Sequence, residues 1–543
     1  MSKTVGVVVS ADSVTVVTAV LSDMESLTVG SLVIIIDCDR VLLGRVVRLA
    51  RRNIFQDDRV LQRIDYESVK LLEEYGIDAE KLTSMNLARI VILGQVTNNE
   101  KIEPSRRPPR LYSPVKLPDK TLLENILRPR SRLVIHVGKL RDLDTVDVYL
   151  DAEKLVTHHC AILAATGGGK SWLAGVIVEE LAYRTDMSII VFDPHSEYSS
   201  MLVPADEAGV ELDEQERKIA EVIASKVKIY VPGRVDSSSI DEVFRRRFGR
   251  SRTYSRFGIR PLDVPLSIIV RLLDYYYGLS DTQRRILEEA WHNLIAHGDI
   301  TDVEELLKII EEEGRQAAPR GYAGEASLHS LLTKLRLLFE NRPFFLTRLV
   351  EYYDGLPVRR LDIRELVEEP GVKVFDLSGL DYVDQQALVA VIVDQVLKFV
   401  MRHRSNSVLF VIEEAHNFAP SRGDSLSLGP LLKVAREGRK FGVGLLVISQ
   451  RPARVHPDLL SQCMTQIFKR MVNPNDLKYV RDVLENVDVE DLWELKLLRE
   501  DEALIVGLAA PLSLLVKVRK RYTAHGGLTP SIANLAETFG VAR

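Results

Sequence analysis

The spacing of apolar and polar positions divides the chain into segments of different character. Between residues 4 and 100, short β-branched runs such as TVGVVVS and GSLVIIIDC are separated by Gly, Asp and Ser. This pattern predicts short strands that form a small all-β barrel or sandwich. Only DYESVKLLEEYGIDAEKL, residues 65–82, departs from it, and its spacing predicts one helix between strands.

From about Leu133 onward, apolar strands alternate with helices. The predicted helix SWLAGVIVEELAYRT lies between two strand candidates, AILAA and SIIVFD. Further strand candidates, with helices between them, follow downstream: VKVFDLS, SVLFVIEEA, VGLLVISQ and MTQIFKRM. Strands that are apolar along their whole length, alternating with helices, are typical of a parallel sheet covered on both faces. The predicted fold class of this part is therefore α/β.

The stretch from 236 to 365 has helical spacing and few strand candidates. LSDTQRRILEEAW opens with a capping box of Ser280 and Gln283, and SLHSLLTKLRLLFENRP is clearly amphipathic. We interpret this stretch as a helical insertion into the α/β core. The tail ALIVGLAAPLSLLVKVRKRYTAHGG returns to strands, in the form of a hairpin.

A proline-rich segment, EPSRRPPRLYSPVKLPD, precedes the α/β part and contains too many prolines for a helix. It predicts a linker. The expected organisation is an N-terminal β-barrel at 1–105, a linker at 106–132, an α/β core at 133–235 and 366–510, a helical insertion at 236–365, and a strand-rich C-terminal brace at 511–543.

Composition limits the possible partners of the protein. With 72 basic and 77 acidic residues, the net charge is −5, so nucleic acid could be bound only by a local patch or pore. The three cysteines are far apart and form neither a disulfide framework nor a CxxC site. No stretch reaches the ~18 apolar residues of a membrane helix. We therefore expect a soluble, cytoplasmic protein.

The segment CAILAATGGGKSWLAG has the features of a phosphate-binding loop. Three consecutive glycines can direct backbone N–H groups into one concavity, and the following helix presents its N-terminus to the same anion. Lys170 would reach the β- and γ-phosphates, and the Ser171 hydroxyl would ligate Mg²⁺. Ala164 replaces the first glycine of the usual motif, which is tolerable if its φ stays negative. The predicted nucleotide-binding residues are Thr166, Gly167, Gly168, Gly169, Lys170, Ser171 and Trp172.

The alternative to a phosphate loop is a chance Gly-Lys-Ser turn, which the apolar strand and helix around it disfavour. A second half of the site is expected at SVLFVIEEAHNFAP, where an apolar strand ends in Glu413 and Glu414. Glu413 is predicted to hold Mg²⁺ through water, and Glu414 to orient the attacking water. Most such strands have Asp at the first position. The competing interpretation is a strand end with two solvated acids.

Five motifs stand out along the α/β part: AATGGGKS, VFDPHSEY, VIEEAHNFAP, AREGRKFGVGLLVISQRP, and LSQCMTQIFKR with NPNDL. Taken together, they resemble the successive motifs of the archaeal HerA DNA translocases, in the FtsK–HerA group of RecA-like ring ATPases. The motifs follow the family's order from about Leu133 to Val506, and the leading β domain is similar to that family's HAS-type barrel. The resemblance implies a homohexamer with ATP at the subunit interfaces and double-stranded DNA in the central pore.

Several further residues gain a role from this resemblance. Gln450 ends an apolar strand and would sense the γ-phosphate, unless it is only a polar strand terminus. Arg436 or Arg439 would reach the neighbouring subunit's γ-phosphate, since guanidinium stabilises the charge of the transition state. The alternative is a solvated helix face. Glu197, in the turn after SIIVFD, would polarise water, or the turn is merely capped by Asp193.

Two segments are candidates for contacting DNA phosphates. The loop APSRGDSLSLG carries Arg422. The run FRRRFGRSRTYSRFGIR interleaves arginines with aromatic residues, which suits phosphate contact and stacking; its leading candidates are Arg245, Arg246 and Arg247. A solvated loop or a protein-partner patch is nearly as good an interpretation of this run. Since no base-reading module is present, recognition should be indifferent to sequence.

The predicted function is an ATP-driven translocase or helicase on double-stranded DNA. The resemblance further implies a NurA-type partner nuclease and a role in resecting DNA ends for recombinational repair. The alternatives are a DNA pump for conjugation or packaging, a nucleotide-gated DNA-binding scaffold with little turnover, and a small-molecule kinase. No membrane or secretion segment supports the pump, and a kinase needs neither a hexamer nor an arginine across an interface.

Overall fold

The structure is a computed structural model and describes residues 3–53, 84–97, 99–165, 167–294, 300, 302–318, 322–348, 350–483 and 494–527. The helix predicted at 65–82 and Thr166 of the glycine loop lie outside these residues. The chain forms two compact units, Met1–Asp151 with Phe468–Arg519, and Ala152–Ile467 with Lys520–Arg543. This division does not follow the predicted domain boundaries, which stay predictions.

The first unit contains a closed barrel of six strands, β1–β5 and β7, and a short strand β6 that pairs with β5. Every strand in the order β2-β1-β7-β3-β4-β5 pairs with the next, and β2 also pairs with β5. Closure leaves none of these six strands with a free edge. The strands are β1 Thr4–Ala11, β2 Val16–Leu21, β3 Leu32–Asp37, β4 Arg40–Asn53, β5 Ser84–Val96, β6 Ile102–Glu103 and β7 Pro114–Lys116.

The barrel core comes from alternate positions of these strands, where β-branched residues face inward and are fully buried, as Val17, Val33 and Ile35 are. The predicted all-β domain is thereby confirmed for the described residues. The segment predicted as a linker differs from expectation, because β7 lies within it and pairs antiparallel with both β1 and β3. Pro114 stands at the first residue of β7, where its missing N–H costs the ladder least.

The first unit also holds a helix, α1, Lys120–Leu127, whose N-cap Asp119 accepts a 2.8 Å hydrogen bond from the N–H of Leu122. The remaining strands of the unit form an antiparallel group in the order β20-β21-β8-β9. Leu504 is opposite Leu515, which confirms the predicted C-terminal hairpin. These strands are β8 Val134–Leu140, β9 Leu143–Asp151, β20 Glu502–Gly507 and β21 Leu514–Val518, and the helix α14 is Pro474–Val483.

The second unit is built on a sheet in the order β14-β15-β13-β12-β16-β11-β17-β18-β10-β19. From β15 to β10 every neighbouring pair is parallel. The strands β11, β16, β17 and β18 are buried at every position, which confirms a parallel sheet covered on both faces. The strands are β10 Cys160–Leu163, β11 Ser188–Asp193, β12 Val227–Pro232, β13 Ser255–Gly258, β14 Glu351–Tyr353, β15 Leu356–Arg360, β16 Gly371–Asp376, β17 Val408–Ile412, β18 Val443–Ser449 and β19 Thr465–Phe468.

Helices connect these strands. None of the helices in the described ranges is long and apolar enough to cross a membrane. They are α2 Ala152–Thr157, α3 Lys170–Arg184, α4 Glu214–Ser225, α5 Ser238–Phe248, α6 Leu266–Tyr277, α7 Asp281–Asn293, α8 Val303–Ala317, α9 Tyr322–Asn341, α10 Ile363–Glu368, α11 Tyr382–His403, α12 Leu428–Glu437 and α13 Pro457–Ser461.

The stretch predicted as a helical insertion carries α5 to α9, as expected. Its capping box is confirmed, since Ser280 and Gln283 exchange two 3.2 Å hydrogen bonds at the start of α7. The stretch also contributes β13, β14 and β15, so it extends the sheet as well as inserting into it. With only 3 to 5 residues each, these strands are too short for a periodic pattern to predict them.

Candidate nucleotide-binding site

The glycine loop leads from β10 into α3. Gly167 and Gly169 both have a φ of +72°, whereas Gly168 is not among the residues with positive φ. Left-handed residues on either side of a right-handed one turn successive N–H groups towards one concavity, the nest that binds an anion. A Cβ added to Gly167 would meet nothing within 4 Å, so its backbone conformation alone requires glycine there. Ala164 is buried and keeps a negative φ, as its replacement of glycine requires.

Lys170, the first residue of α3, lies between this nest and the acidic pair after β17. Its Nζ is 3.0 Å from Oε1 of Glu414. Burial by itself would lower the pKa of Lys170, but the carboxylates of Glu414 and Glu413 outweigh it and raise the pKa above its ordinary value. The lysine is therefore held as a cation. The two distant motifs of the sequence meet at one point, as predicted.

Glu414 occupies a special backbone position. Its φ of 48° and ψ of 47° are left-handed, which turns the chain sharply after β17 and directs the side chain to Lys170. Its second oxygen, Oε2, is buried and accepts no hydrogen bond from the described residues. His416 Nδ1 is 3.3 Å from that oxygen, outside hydrogen-bond geometry, and 3.2 Å from the Ser449 hydroxyl. A buried carboxylate oxygen that lacks a donor suits the binding of a water molecule.

Glu413 is buried beside Glu414 but has a different partner. The Tyr198 hydroxyl donates a 2.7 Å hydrogen bond to Glu413 Oε1. Burial raises the pKa of Glu413 to about 7, although the Tyr198 hydrogen bond and Lys170 oppose the shift. Because burial disfavours the ionised form of Glu413, a nearby cation would favour that form. This accords with the predicted metal role.

Glu197 lies in the turn after β11 and is half-buried. Its charge contributes to the raised pKa values of Lys170 and Glu413, which locates it within electrostatic reach of both. Asp193 caps the turn by accepting hydrogen bonds from the N–H groups of His195, at 3.2 Å, and Tyr198, at 2.8 Å. The capping role that was left as an alternative for this turn is therefore present alongside Glu197.

Gln450 is partly buried, whereas the two candidate arginine fingers are exposed. Gln450 is half-buried and directly follows β18, the strand between β17 and β10, so it ends at the same edge of the sheet as the loop and the acids. Arg436, in the last turn of α12, is exposed and forms an ion pair of 2.9 Å with Asp458. Arg439 is exposed in the short turn Gly438–Phe441.

The arginine-rich run is only partly available to a ligand. Arg245 and Arg246 are exposed, and Arg246 pairs with Glu242. Arg247 donates a 3.1 Å hydrogen bond to the carbonyl oxygen of Gly526. Two other arginines of the run are internal and cannot contact phosphate: Arg252 and Arg256 are buried, and their side chains bond to Asp376, Asp241, Gly233 and Val235.

Arg422 is exposed in the loop after β17. The base of that loop is fixed, because the buried hydroxyls of Ser425 and Ser427 both donate to the carbonyl oxygen of Phe418, at 2.8 and 2.7 Å. The candidate pore loop thus has an anchored base and an exposed arginine near its tip.

Residues 520–527, which we call the C-terminal strap, make contacts with α3 that were not predicted from the sequence. Glu179 of α3 is fully buried and accepts hydrogen bonds from Arg521 Nε, at 3.1 Å, and from the Thr523 hydroxyl, at 2.6 Å. His525 of the strap contacts the ring of Trp172 edge-on at a centroid distance of 5.6 Å. The sequence signal for these contacts was the pair Glu179 and Glu180, which interrupts an apolar stretch of the helix. Buried acids need partners.

A parallel sheet with a glycine nest, a lysine at the following helix N-terminus and an acidic pair after another strand defines a P-loop ATPase. Residues 135–396 match the family model described as "Helicase HerA, central domain". The chain is 29% identical to the "Probable DNA double-strand break repair helicase HerA" of Methanocaldococcus jannaschii, over 83% of this chain and 88% of that one. The central part of the chain is thus similar to the HerA helicases, and relatives with that name align with most of its length.

Other relatives cover still more of the chain. The "DNA double-strand break repair helicase HerA" of Sulfolobus acidocaldarius is 26% identical over 99% of this chain and 97% of its own. Among solved structures, VirB4 of Thermoanaerobacter pseudethanolicus aligns with a TM-score of 0.47 and 18% identity, covering 72% of this chain and 97% of that one.

Proposed function

We propose that this protein is an ATP-driven translocase or helicase on double-stranded DNA. The observation that carries the proposal is the 3.0 Å contact between Lys170 of the glycine nest and Glu414 of the acidic pair. This contact completes a P-loop site. The chain that carries it aligns over most of its length with relatives named double-strand break repair helicases. ATP is the fuel that such a site uses.

The residues present fit ATP and Mg²⁺. The loop from Gly167 to Gly169 offers N–H groups to the phosphates, and Lys170 can exchange its contact with Glu414 for a phosphate oxygen. Ser171 at the helix start and the buried Glu413 would hold the metal, Glu413 through water. Bound Mg²⁺ neutralises charge on the phosphate oxygens. Trp172 and Thr166, the second of which lies outside the described residues, are the remaining candidates for contacts with the nucleotide.

Hydrolysis would depend on Glu414 and the groups around it. The buried Oε2 of Glu414, which accepts no hydrogen bond within the described part of the chain, would orient the attacking water. Gln450, at the end of the adjacent strand, would sense the γ-phosphate by a hydrogen bond, and Glu197 would polarise water or transmit the nucleotide state. The charge that Glu197 exerts on Lys170 and Glu413 supports this second role.

The active assembly would be a homohexamer in which each site is completed by the neighbouring copy. Arg436 and Arg439 are both exposed near the end of α12, where a guanidinium can reach out of its own subunit. Either residue can supply the arginine that stabilises the transferring phosphoryl group. An arginine supplied by the neighbouring copy would tie hydrolysis to assembly.

DNA would be contacted through its phosphates and without sequence specificity. Arg422 near the tip of the anchored loop after β17, and the exposed Arg245 and Arg246, are the candidate contacts, with Arg247 beside them. Because the loop base is bonded next to Glu414, a change at the nucleotide can displace the loop. A net charge of −5 favours such local contacts over a global attraction.

The biological role would be the resection of DNA ends for recombinational repair, together with a NurA-type nuclease. The match to the HerA central-domain model and the relatives named as double-strand break repair helicases support this role. A cytoplasmic site of action accords with the three cysteines, all of which are free.

The experiment that tests the proposal changes Glu414 to Gln. The variant should still bind ATP, since Lys170 and the nest remain, but its DNA-stimulated hydrolysis should fall by at least about 100-fold because the water loses its carboxylate. Radiolabelled ATP binding and phosphate release, with and without duplex DNA, give both quantities. Glu340→Gln, an exposed glutamate of α9, is the matched control and should behave like the wild type.

The same measurements separate the alternatives. A nucleotide-gated scaffold would show little phosphate release in the wild type, with or without duplex DNA, so Glu414→Gln would change it little. A small-molecule kinase would show no stimulation by DNA. Either result would overturn the proposal, whereas a pump for conjugation or packaging would share the DNA-stimulated hydrolysis and differ in acting without a nuclease.

A further inference from the structure

Tyr198 is a buried phenol next to the candidate site, and none of the roles above uses it. It begins the short turn Tyr198–Leu202 and is 1% exposed. Its hydroxyl donates a 2.7 Å hydrogen bond to Glu413 Oε1. No other hydrogen bond to this carboxylate is present among the described residues. A buried phenol could satisfy its hydroxyl with any acceptor nearby, so its placement on the metal-side carboxylate is informative.

The turn that carries Tyr198 is itself held from two sides. The N–H of Tyr198 donates to Asp193 Oδ2 at 2.8 Å, at the end of β11. On the other side, the buried Arg252 donates to the hydroxyl of Ser199 at 3.1 Å and to Asp376 at 2.5 Å. The Tyr198 ring therefore has little freedom, and its hydroxyl is a fixed point.

Glu413 needs such a fixed point more than an aspartate would. A glutamate side chain has one more rotatable bond than an aspartate, so its carboxylate can occupy more positions around the end of β17. A second contact that orients a metal-binding carboxylate removes this freedom. The longer residue at the usual aspartate position and the tyrosine that contacts it thus form one structural solution.

We propose that Tyr198 is a positioning residue for the metal-side carboxylate, acting by fixing the side-chain conformation of Glu413 through its hydroxyl. This inference rests on the proposed function, since it assigns a support to the metal site of the ATPase. Because Glu197 and Tyr198 are consecutive, the same turn would also connect the position of Glu413 with that of Glu197.

The test is Tyr198→Phe, which removes one oxygen and keeps the ring. The Mg²⁺ concentration that half-saturates ATP hydrolysis should rise about 10-fold. Independently of turnover, the binding of a fluorescent ATP analogue should be unchanged in EDTA but should gain less from added Mg²⁺ than in the wild type. Tyr230→Phe is the matched control, a buried tyrosine beside Glu365 whose loss should leave both Mg²⁺ responses unchanged.

A double substitution distinguishes positioning from general destabilisation. In a Glu413→Asp background the shorter side chain no longer depends on the hydroxyl, so adding Tyr198→Phe should change the Mg²⁺ requirement by less than about 3-fold. An unchanged Mg²⁺ response in Tyr198→Phe, or an equal effect in both backgrounds, would overturn the inference. If the wild type itself bound no nucleotide in a Mg²⁺-dependent way, the proposed function would fail instead.

Discussion

Glu413 and Glu414 are neighbours in the chain but contact different partners. The left-handed backbone of Glu414 directs it to Lys170, whereas Glu413 contacts Tyr198 from the adjacent strand region. One oxygen of Glu414 is left without a donor among the described residues, and the carboxylate of Glu413 is anchored. Two identical side chains can thus serve different purposes, since their surroundings rather than their chemistry differ.

The pair itself was predictable from the sequence, but its partners were not. An apolar run that ends in two acids is a local pattern, and so is a glycine cluster before Lys-Ser. The contacts of Glu413 with Tyr198 and of Arg252 with Asp376 join residues more than 100 positions apart. Such contacts depend on strand order, which no local pattern contains.

His159 provides a residue-scale prediction on stability. Its ring is buried, and Nδ1 accepts a 3.1 Å hydrogen bond from the N–H of Leu445. Nε2 therefore carries the proton and donates it in a 3.1 Å hydrogen bond to the carbonyl oxygen of Ala435. Burial, with a smaller contribution from the charge of His158, lowers the pKa of His159 to about 4, although the hydrogen bond to Ala435 opposes the shift. Packing is thus the role of His159 in this structure.

The sign of the effect follows from the lowered pKa. The fold prefers neutral His159, so its contribution is complete above the unfolded pKa of about 6.5 and is lost as the pH falls towards 4, by roughly 3 kcal/mol in all. Thermal unfolding between pH 7 and pH 4.5 should therefore depend on pH more steeply in the wild type than in His159→Gln. Parallel curves would contradict this prediction.

At the scale of elements, the length of each segment determines what could be predicted. The strand β11 matches its predicted run, the capping box of Ser280 and Gln283 is present, and α3 follows the glycine loop. These elements are specified by their own residues. β7 and β13 to β15 span 5 residues or fewer, and they form through hydrogen bonds with neighbouring strands that are distant in the sequence or equally short.

The contact between α3 and the C-terminal strap gives an element-scale prediction. Arg521 pairs with the fully buried Glu179, and its guanidinium carbon lies 2.4 Å from where a Cβ on Gly175 would be, so α3 is shaped to receive it. Arg521→Met would leave Glu179 buried without its cation. The variant should lose on the order of 3 kcal/mol of stability.

Thermal unfolding of Arg521→Met and of Glu179→Gln/Arg521→Met measures this loss. The double variant should recover part of it, because the uncompensated charge is removed. Equal stability of the wild type and the single variant would mean that the strap is not needed to hold α3.

At the scale of the whole molecule, the claim is that ATP hydrolysis moves the protein along duplex DNA. The parallel sheet brings the nest, the acids and Gln450 to one edge, and the anchored loop with Arg422 leaves from the same edge. A protein that only bound DNA would not need the hydrolytic site.

Displacement of a third strand from a triplex placed on duplex DNA tests this claim most directly. The wild type with ATP and Mg²⁺ should release the third strand, because movement along the duplex strips it from the DNA. Glu414→Gln with ATP, and the wild type with a non-hydrolysable analogue, should bind the DNA and leave the triplex intact. Release that proceeds equally well in Glu414→Gln, or no release by a wild type that hydrolyses ATP on DNA, would contradict the account.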